Sequence, residues 1–173
     1  GQAVPLFKTG NLLTKEMLSA MKDYAFNFGE LLFQGYGNGI LCGCSVSTTK
    51  STLQLNKGMI MHEGNIYLIN QPLLEEYYPT DVEMIFRIRM KDEVKTQSFI
   101  YRELESVLSK EPIREGEELE ICRFKLQQGF RLRTDYQSFS DRNTAYDTVN
   151  MIHVPFSSYK GSSITPEITK AFV

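Results

Sequence analysis

The sequence predicts a mainly β protein, namely an antiparallel β-sandwich or barrel of about seven to eight strands with an N-terminal amphipathic helix and a short C-terminal helix. Two observations lead to this fold class. Apolar residues recur every three or four positions up to residue 32, whereas beyond Gly39 they alternate with polar residues between glycine-containing turns. At 173 residues, the chain is long enough to form one domain with its own core.

Composition and charge exclude several classes of partner. Hydrophobic residues make up 42% of the chain, yet no uninterrupted apolar run approaches the ~18 residues of a membrane span. The formal charge of −2 makes nucleic acid an unexpected partner, because phosphate binding normally needs a concentrated basic excess. The first residues lack the layout of a secretory signal, so we expect a cytoplasmic protein with three reduced cysteines.

Residues 1–34 are predicted to form a helical segment. Thr14 is a suitable N-cap, and Glu16 lies in the first turn, where a carboxylate complements the helix dipole. The apolar positions that define one face are Met17, Leu18, Met21, Ala25, Phe28 and Leu32. We expect this helix to pack on the β domain or to lead into it.

Residues 35–134 are predicted to form the β-rich core domain. Strands are expected at about 40–46, 52–56, 59–62, 65–70, 81–91, 96–104, 118–126 and 130–134. In the longest of them, the alternation places Phe86 in the core and Arg87 in solvent, so replacing Arg87 is expected to cost little stability. A change of apolar side between Ile121 and Cys122 predicts a β-bulge there.

Residues 135–173 are predicted to form an extended C-terminal arm that ends in a short helix. The arm begins with a polar stretch, continues into a short apolar island and then reaches a Ser/Gly loop. Long irregular segments inside a compact domain often serve linking or functional roles. The arm either binds a neighbouring subunit, through residues such as Met151, Ile152, Phe156 and Phe172, or covers its own domain.

The sequence contains no recognisable catalytic, cofactor or metal site. His62 and His153 have no ligand or triad spacing, and we interpret them as turn or packing residues. Cys42 and Cys44, if both lay in one strand, would share a face, but a metal ion would need further ligands from scattered positions. Small, buried apolar roles are the simpler interpretation of these cysteines.

Basic residues recur at two-residue steps along three predicted strands, at Arg87, Arg89, Lys91, Arg123, Arg131 and Arg133. Side chains two residues apart in a strand lie on one face, so these residues could form a basic interaction surface. The simpler interpretation, which we favour, is a solvated outer face on which Glu83 and other carboxylates act as cross-strand partners.

Residues 35–68 contain a glycine-spaced pattern, which consists of Asn38, Gly39, Ile40, Gly43, Leu53, Leu55, Gly58, Gly64 and Tyr67. This pattern resembles a small β-meander found in bacteriophage tail, baseplate and tail-fibre-base structural proteins, and residues 163–168 are similar to the closing segment of some prophage-encoded tail proteins. The resemblance implies a homo-oligomer that assembles with other tail or baseplate proteins. Such a protein would be made in the bacterial cytoplasm and carried in the virion.

A non-enzymatic structural or assembly module is therefore the leading expectation. The main alternative is a carbohydrate-binding or receptor-binding β module that uses exposed aromatic residues such as Tyr77, Tyr78 and Tyr101, with a glycan as ligand. A small hydrolase that uses a pair of the many glutamates is the least favoured expectation, because solvated loops and strand faces explain these carboxylates better and sequence does not show how far apart two of them lie.

Overall fold

The fold consists of one long helix followed by several small β-sheets, and the computed structural model describes residues 3–135 and 144–164. The helices are α1 (Lys15–Leu32) and α2 (Thr144–Asp147). The strands are β1 (Gly39–Gly43), β2 (Val46–Thr48), β3 (Thr52–Leu55), β4 (Gly58–His62), β5 (Asn65–Ile69), β6 (Leu73–Glu76), β7 (Glu83–Met90), β8 (Val94–Lys95), β9 (Ile100–Tyr101), β10 (Leu104–Ser109), β11 (Glu118–Lys125), β12 (Phe156–Ser158) and β13 (Gly161–Ser163).

The strands form three sheets and one hairpin. The sheets have the strand orders β13-β12-β1-β4-β5, β10-β7-β11 and β2-β3-β6, and β8 pairs with β9. The mainly β class is confirmed. No sheet within the described residues closes on itself, because each order ends in two edge strands, so the barrel alternative is wrong. The predicted C-terminal helix lies outside the described residues.

Helix α1 begins where the sequence predicts and ends at Leu32, with Phe33 as its C-cap. The hydroxyl of Thr14 accepts a hydrogen bond from the backbone N–H of Met17 at 3.2 Å, which caps the first turn. At the other end, the N–H of Phe33 donates to the carbonyl of Gly29. Only six residues separate the end of α1 from the start of β1, so the helix leads directly into the first sheet.

The predicted bulge is confirmed in β11. Glu120 pairs with Arg87 and Cys122 pairs with Phe86, so the register with β7 shifts at Ile121. This extra residue explains why both Ile121 and Cys122 are fully buried, although they are adjacent in a strand.

The first predicted strand is divided in two by a reversal at residues 43 and 44. Gly43 and Cys44 both have positive φ, at 65° and 58°, so the chain leaves β1 there and restarts as β2. Cys44 is consequently buried, while Cys42 remains exposed, and the expectation that the two cysteines share one strand face is wrong. Gly43 pairs with Gly58. A Cβ added to Gly58 would lie 2.5 Å from the backbone nitrogen of Cys44, so this close approach of the two strands requires glycine.

All three sheets contribute to a single hydrophobic core. Its buried members are Ile40, Cys44, Leu53, Leu55, Ile60, Tyr67, Ile69, Tyr77, Phe86, Ile88, Leu119, Ile121, Cys122, Phe124, Leu126, Leu132, Val149 and Val154. Helix α1 contributes no residue to this cluster.

The described part of the predicted arm, residues 144–164, packs on its own chain. Val149 and Val154 are buried in the core, and β12 pairs in parallel with β1 through Phe156 and Ile40. The hydroxyl of Ser162 donates to the carbonyl of Asn38, 124 positions earlier in the chain. Of the two interpretations of the arm, the described residues therefore follow the second, in which it covers its own domain.

Candidate protein-interaction surface

Helix α1 presents an apolar face that the described part of the chain leaves uncovered. No residue of α1 is buried by that part of the chain, and the side chains of Leu18, Phe28 and Leu31 are 51%, 55% and 71% exposed. We call this face the α1 stripe. It consists of Met17, Leu18, Met21, Tyr24, Ala25, Phe28, Leu31 and Leu32. Contiguous apolar patches of a few hundred Å² on a protein surface are often functional contact sites.

Two grooves run along α1, one on each side of the stripe. The first, of about 840 Å³, lies between the helix and the N-terminal segment at Ala3, and Ala20 and Tyr24 contribute to its wall. The second, of about 530 Å³, lies between the helix and strand β5, and its lining includes Ala25 and Ile66. Phe28 lines both grooves, so it lies on the ridge between them.

The segment that precedes α1 is also apolar and exposed. Its large side chains are Val4, Leu6, Phe7, Leu12 and Leu13, whose exposed fractions range from 60% to 86%. This segment and the α1 stripe together form a single apolar N-terminal region that lies outside the hydrophobic core.

The basic residues singled out from the sequence do not form an unpaired basic surface. Arg87 is buried, which corrects the expectation that it is solvated. Its guanidinium donates to Oε2 of Glu118 at 3.0 Å and to the carbonyls of Ser109, Glu111 and Pro112. Alternation correctly separated the two faces of β7, but the 109–118 loop folds over Arg87 on the second face and removes its side chain from water.

The neighbouring basic residues are held in ion pairs. Arg89 contacts Glu118 and Glu105, and Lys91 contacts Glu105. The remaining pairs are Arg123 with Glu83 and Glu120, and Arg133 with Asp147, whereas Arg131 is exposed on the loop before Leu132. Arg89, Lys91 and Arg123 therefore pair with carboxylates across strands, as the favoured interpretation expects.

Glu118 is the buried centre of this network. Burial raises the pKa of its carboxyl, but hydrogen bonds from the Arg114 N–H and from the guanidinium groups of Arg89 and Arg87 outweigh burial and lower the pKa overall. Lys91 and Arg89 similarly lower the pKa of Glu105. Both groups are therefore ionised at neutral pH, and neither has the raised pKa of a general acid.

A stability prediction follows from the lowered pKa of Glu118. A lowered folded-state pKa stabilises the protein fully above the unfolded pKa of about 4.3, and this stabilisation is lost as the pH falls through the folded-state value. We expect wild-type protein to lose more unfolding free energy between neutral pH and about pH 3 than Glu118→Gln does, as measured by urea titration. The exposed Glu117→Gln is the control and should follow wild type. Equal pH dependence in wild type and Glu118→Gln would contradict the prediction.

The aromatic residues of the glycan-binding alternative do not form one platform. Tyr77 is buried in the core, where its hydroxyl donates to the carbonyl of Thr49 at 2.6 Å, so it is not accessible to a sugar. Tyr78 is 64% exposed and donates to Glu76, while Tyr101 is half-exposed beside Phe99 in the β8–β9 hairpin.

The arm residues proposed for interaction are divided between the core and the surface. Met151 and Phe156 are half-buried against the core, whereas Ile152 is 57% exposed. Phe172 lies outside the described residues. Of the four, Ile152 is the one that the structure places in solvent.

The cysteines and histidines are dispersed. Burial, with a smaller contribution from Cys42, raises the pKa of the Cys44 thiol to about 12, so this thiol is protonated at neutral pH. His62 is buried at the end of β4 against Tyr67. Within residues 3–135 and 144–164, no three His, Cys, Asp or Glu side chains are grouped closely enough to hold a metal ion.

Sequence reasoning missed two members of the α1 stripe, Tyr24 and Leu31. Both continue the alternating three- and four-residue spacing that starts at Met17, and this spacing was the available signal.

Comparison of the chain with protein-family models, curated proteins and solved structures finds no match. Among the helices that the structure describes, none combines the length and apolar character needed to span a membrane.

Proposed function

We propose that this protein is a non-enzymatic assembly module that forms a homo-oligomer and takes its place in a larger protein assembly, as a bacteriophage tail or baseplate component does. One observation carries the proposal, namely the α1 stripe, which the described residues leave in water. A helix whose apolar side is exposed in this way is suited to burying that side against another protein.

The magnitude of the apolar exposure supports assembly. Fully burying a large apolar side chain contributes roughly 1.5 to 3 kcal/mol, and those of the α1 stripe are about half exposed, so burying the rest of seven such side chains would contribute roughly 5 to 10 kcal/mol per copy. The contribution from two copies exceeds most estimates of the ~4 to 15 kcal/mol that association costs. Self-association is therefore thermodynamically reasonable.

The tail-protein part of the proposal draws support from the resemblance of residues 35–68. Strands β1 and β4 meet at Gly43 and Gly58, and Gly64 has a φ of 75° in the turn between β4 and β5. Close approach of two strands at paired glycines and a tight reversal at Gly64 are compatible with a small β-meander. We also propose that the sheets are layers of a sandwich, since all three contribute side chains to one core.

The test is the molar mass of the purified protein in solution. We expect wild type to exceed the 19.9 kDa of one chain in size-exclusion chromatography with light scattering. Phe28→Glu introduces a charge on the ridge of the α1 stripe and should shift the protein to a monomer, with an unchanged circular dichroism spectrum and melting temperature. The matched control is Ser19→Glu, which adds the same charge on the opposite side of α1 and should keep the wild-type mass.

Two results would contradict the proposal. One is a wild-type protein that remains monomeric at the highest concentration tested. The other is an oligomer whose mass is the same for Phe28→Glu and wild type, because the α1 stripe would then not be the contact.

A further inference from the structure

We infer that the α1 stripe is covered by α1 of a second copy of this chain, packed along a heptad seam with Tyr24 at its centre. This inference rests on the proposed function and deepens it, because it names both the partner and the side chains that meet.

The spacing of the apolar residues in α1 points to self-pairing. Met17, Met21, Tyr24, Phe28 and Leu31 follow one another at steps of four, three, four and three, which is the 3.5-residue period of a coiled-coil seam. Such a seam keeps facing a partner helix of the same period along its whole length. A second copy of the chain has the same helix and therefore the same period.

The positions that flank the seam carry no charge. Ala20 and Asn27 lie on one side of it, and Leu18, Ala25 and Leu32 lie on the other. In a pair of packed helices, each seam residue inserts between seam and flanking residues of the facing helix. The apolar side chains among these flanks therefore extend the contact that the seam would make.

The charged residues of α1 do not oppose this pairing. Lys15, Glu16, Lys22, Asp23 and Glu30 all fall between the seam positions in the heptad, on the side away from its centre. Lys22 and Asp23 already form an ion pair with each other at 3.1 Å. Two copies can thus approach along the seam without bringing like charges together.

The area of the α1 stripe shows that a pair of helices needs further contacts to form a specific interface. An 18-residue helix is about 27 Å long and ~11 Å wide, so a stripe spanning about 140° of its circumference covers roughly 350 Å². Two copies would bury about 700 Å² in this way, below the ~1,000 Å² of a specific interface. The exposed apolar residues between Val4 and Leu13 precede the seam in the sequence, and their burial can supply the remaining area.

The test is disulfide trapping in full-length protein. In a Cys42→Ser background, which removes the exposed native thiol, Tyr24→Cys places a thiol at the centre of the seam. Mild oxidation should convert most of this variant to covalent dimer on a non-reducing gel. The matched control is Asp23→Cys, one position away on the polar side, which should cross-link at least ~10-fold more slowly because its thiols face away from the seam.

The same background reports helix orientation. Residues 17 and 31 lie at opposite ends of the seam, so Leu31→Cys cross-links to itself in a parallel pair. In an antiparallel pair it cross-links only in a mixture with Met17→Cys. Either pattern supports the inference, because both place the heptad seam of one copy against that of another.

Two outcomes overturn the inferred helix pairing, and they differ in whether they also overturn the proposed assembly function. Equal cross-linking of Tyr24→Cys and Asp23→Cys in a protein that is oligomeric by light scattering refutes the helix pairing and leaves the assembly proposal standing. A monomeric protein without cross-links refutes both.

Discussion

Arg87→Ala is expected to lower the free energy of unfolding by about 3 to 5 kcal/mol, as much as Phe86→Ala, the neighbouring core truncation. The guanidinium is 2% exposed, and its removal takes from the buried carboxylate of Glu118 the more deeply buried of its two arginine partners. Three carbonyls of the 109–118 loop lose a charged donor at the same time. Urea titration monitored by circular dichroism measures the loss.

A matched control separates burial from charge. Arg89 lies two residues further along β7 and also binds Glu118, but its side chain is 32% exposed, so Arg89→Ala should cost about 1 kcal/mol or less. If both variants lose the same stability, then the burial of Arg87 is not what makes it important.

A chain that ends at Thr134 is expected to lose its cooperative unfolding transition. It lacks β12 and β13, the buried Val149 and Val154, and the Asp147 carboxylate that binds Arg133. Losing two buried valines costs roughly 3 to 6 kcal/mol before any hydrogen bond is counted, against a total stability of about 5 to 15 kcal/mol. Thermal melting followed by circular dichroism is the measurement.

The full-length chain provides the matching pair of substitutions. Val154→Asp places a charge in the core and should reproduce the effect of truncation, whereas Ile152→Asp changes an exposed side chain two positions away and should melt as wild type does. A truncated chain that keeps a sharp melting transition would instead show residues 135–173 to be a dispensable arm.

Local rules predicted the parts of the fold that depend on local interactions. The N-cap at Thr14, the start of α1, and the bulge beside Ile121 follow from capping chemistry and from the alternation of neighbouring residues. The burial of Arg87 was not predictable in this way, since alternation shows which side chains share a face but not which loop will cover that face. Here the cover comes from the carbonyls of a loop more than twenty residues downstream.

The burial of residues in the C-terminal region was not predicted, for a related reason. Residues 144–150 look polar in sequence, but Asp147 and Thr148 are buried together and are satisfied by Arg133 and by each other. From sequence alone, a polar residue is expected to be exposed unless a buried partner can be identified. Here the partner, Arg133, lies on a different segment of the chain. The apolar side of α1 was predicted, whereas its exposure was not, because a 3.6-residue pattern does not reveal which surface covers it.

The parallel pairing of β12 with β1 has a consequence for synthesis on the ribosome. Ile40 emerges long before Phe156, and at about 5 to 20 residues per second the interval between them is roughly 6 to 23 seconds. Throughout that interval, the first sheet has an open edge at β1, and the nascent chain resembles an intermediate that aggregates readily. Pairings between such distant segments also raise the contact order, so folding is expected to be slow and largely post-translational, with a need for chaperone protection at high expression levels.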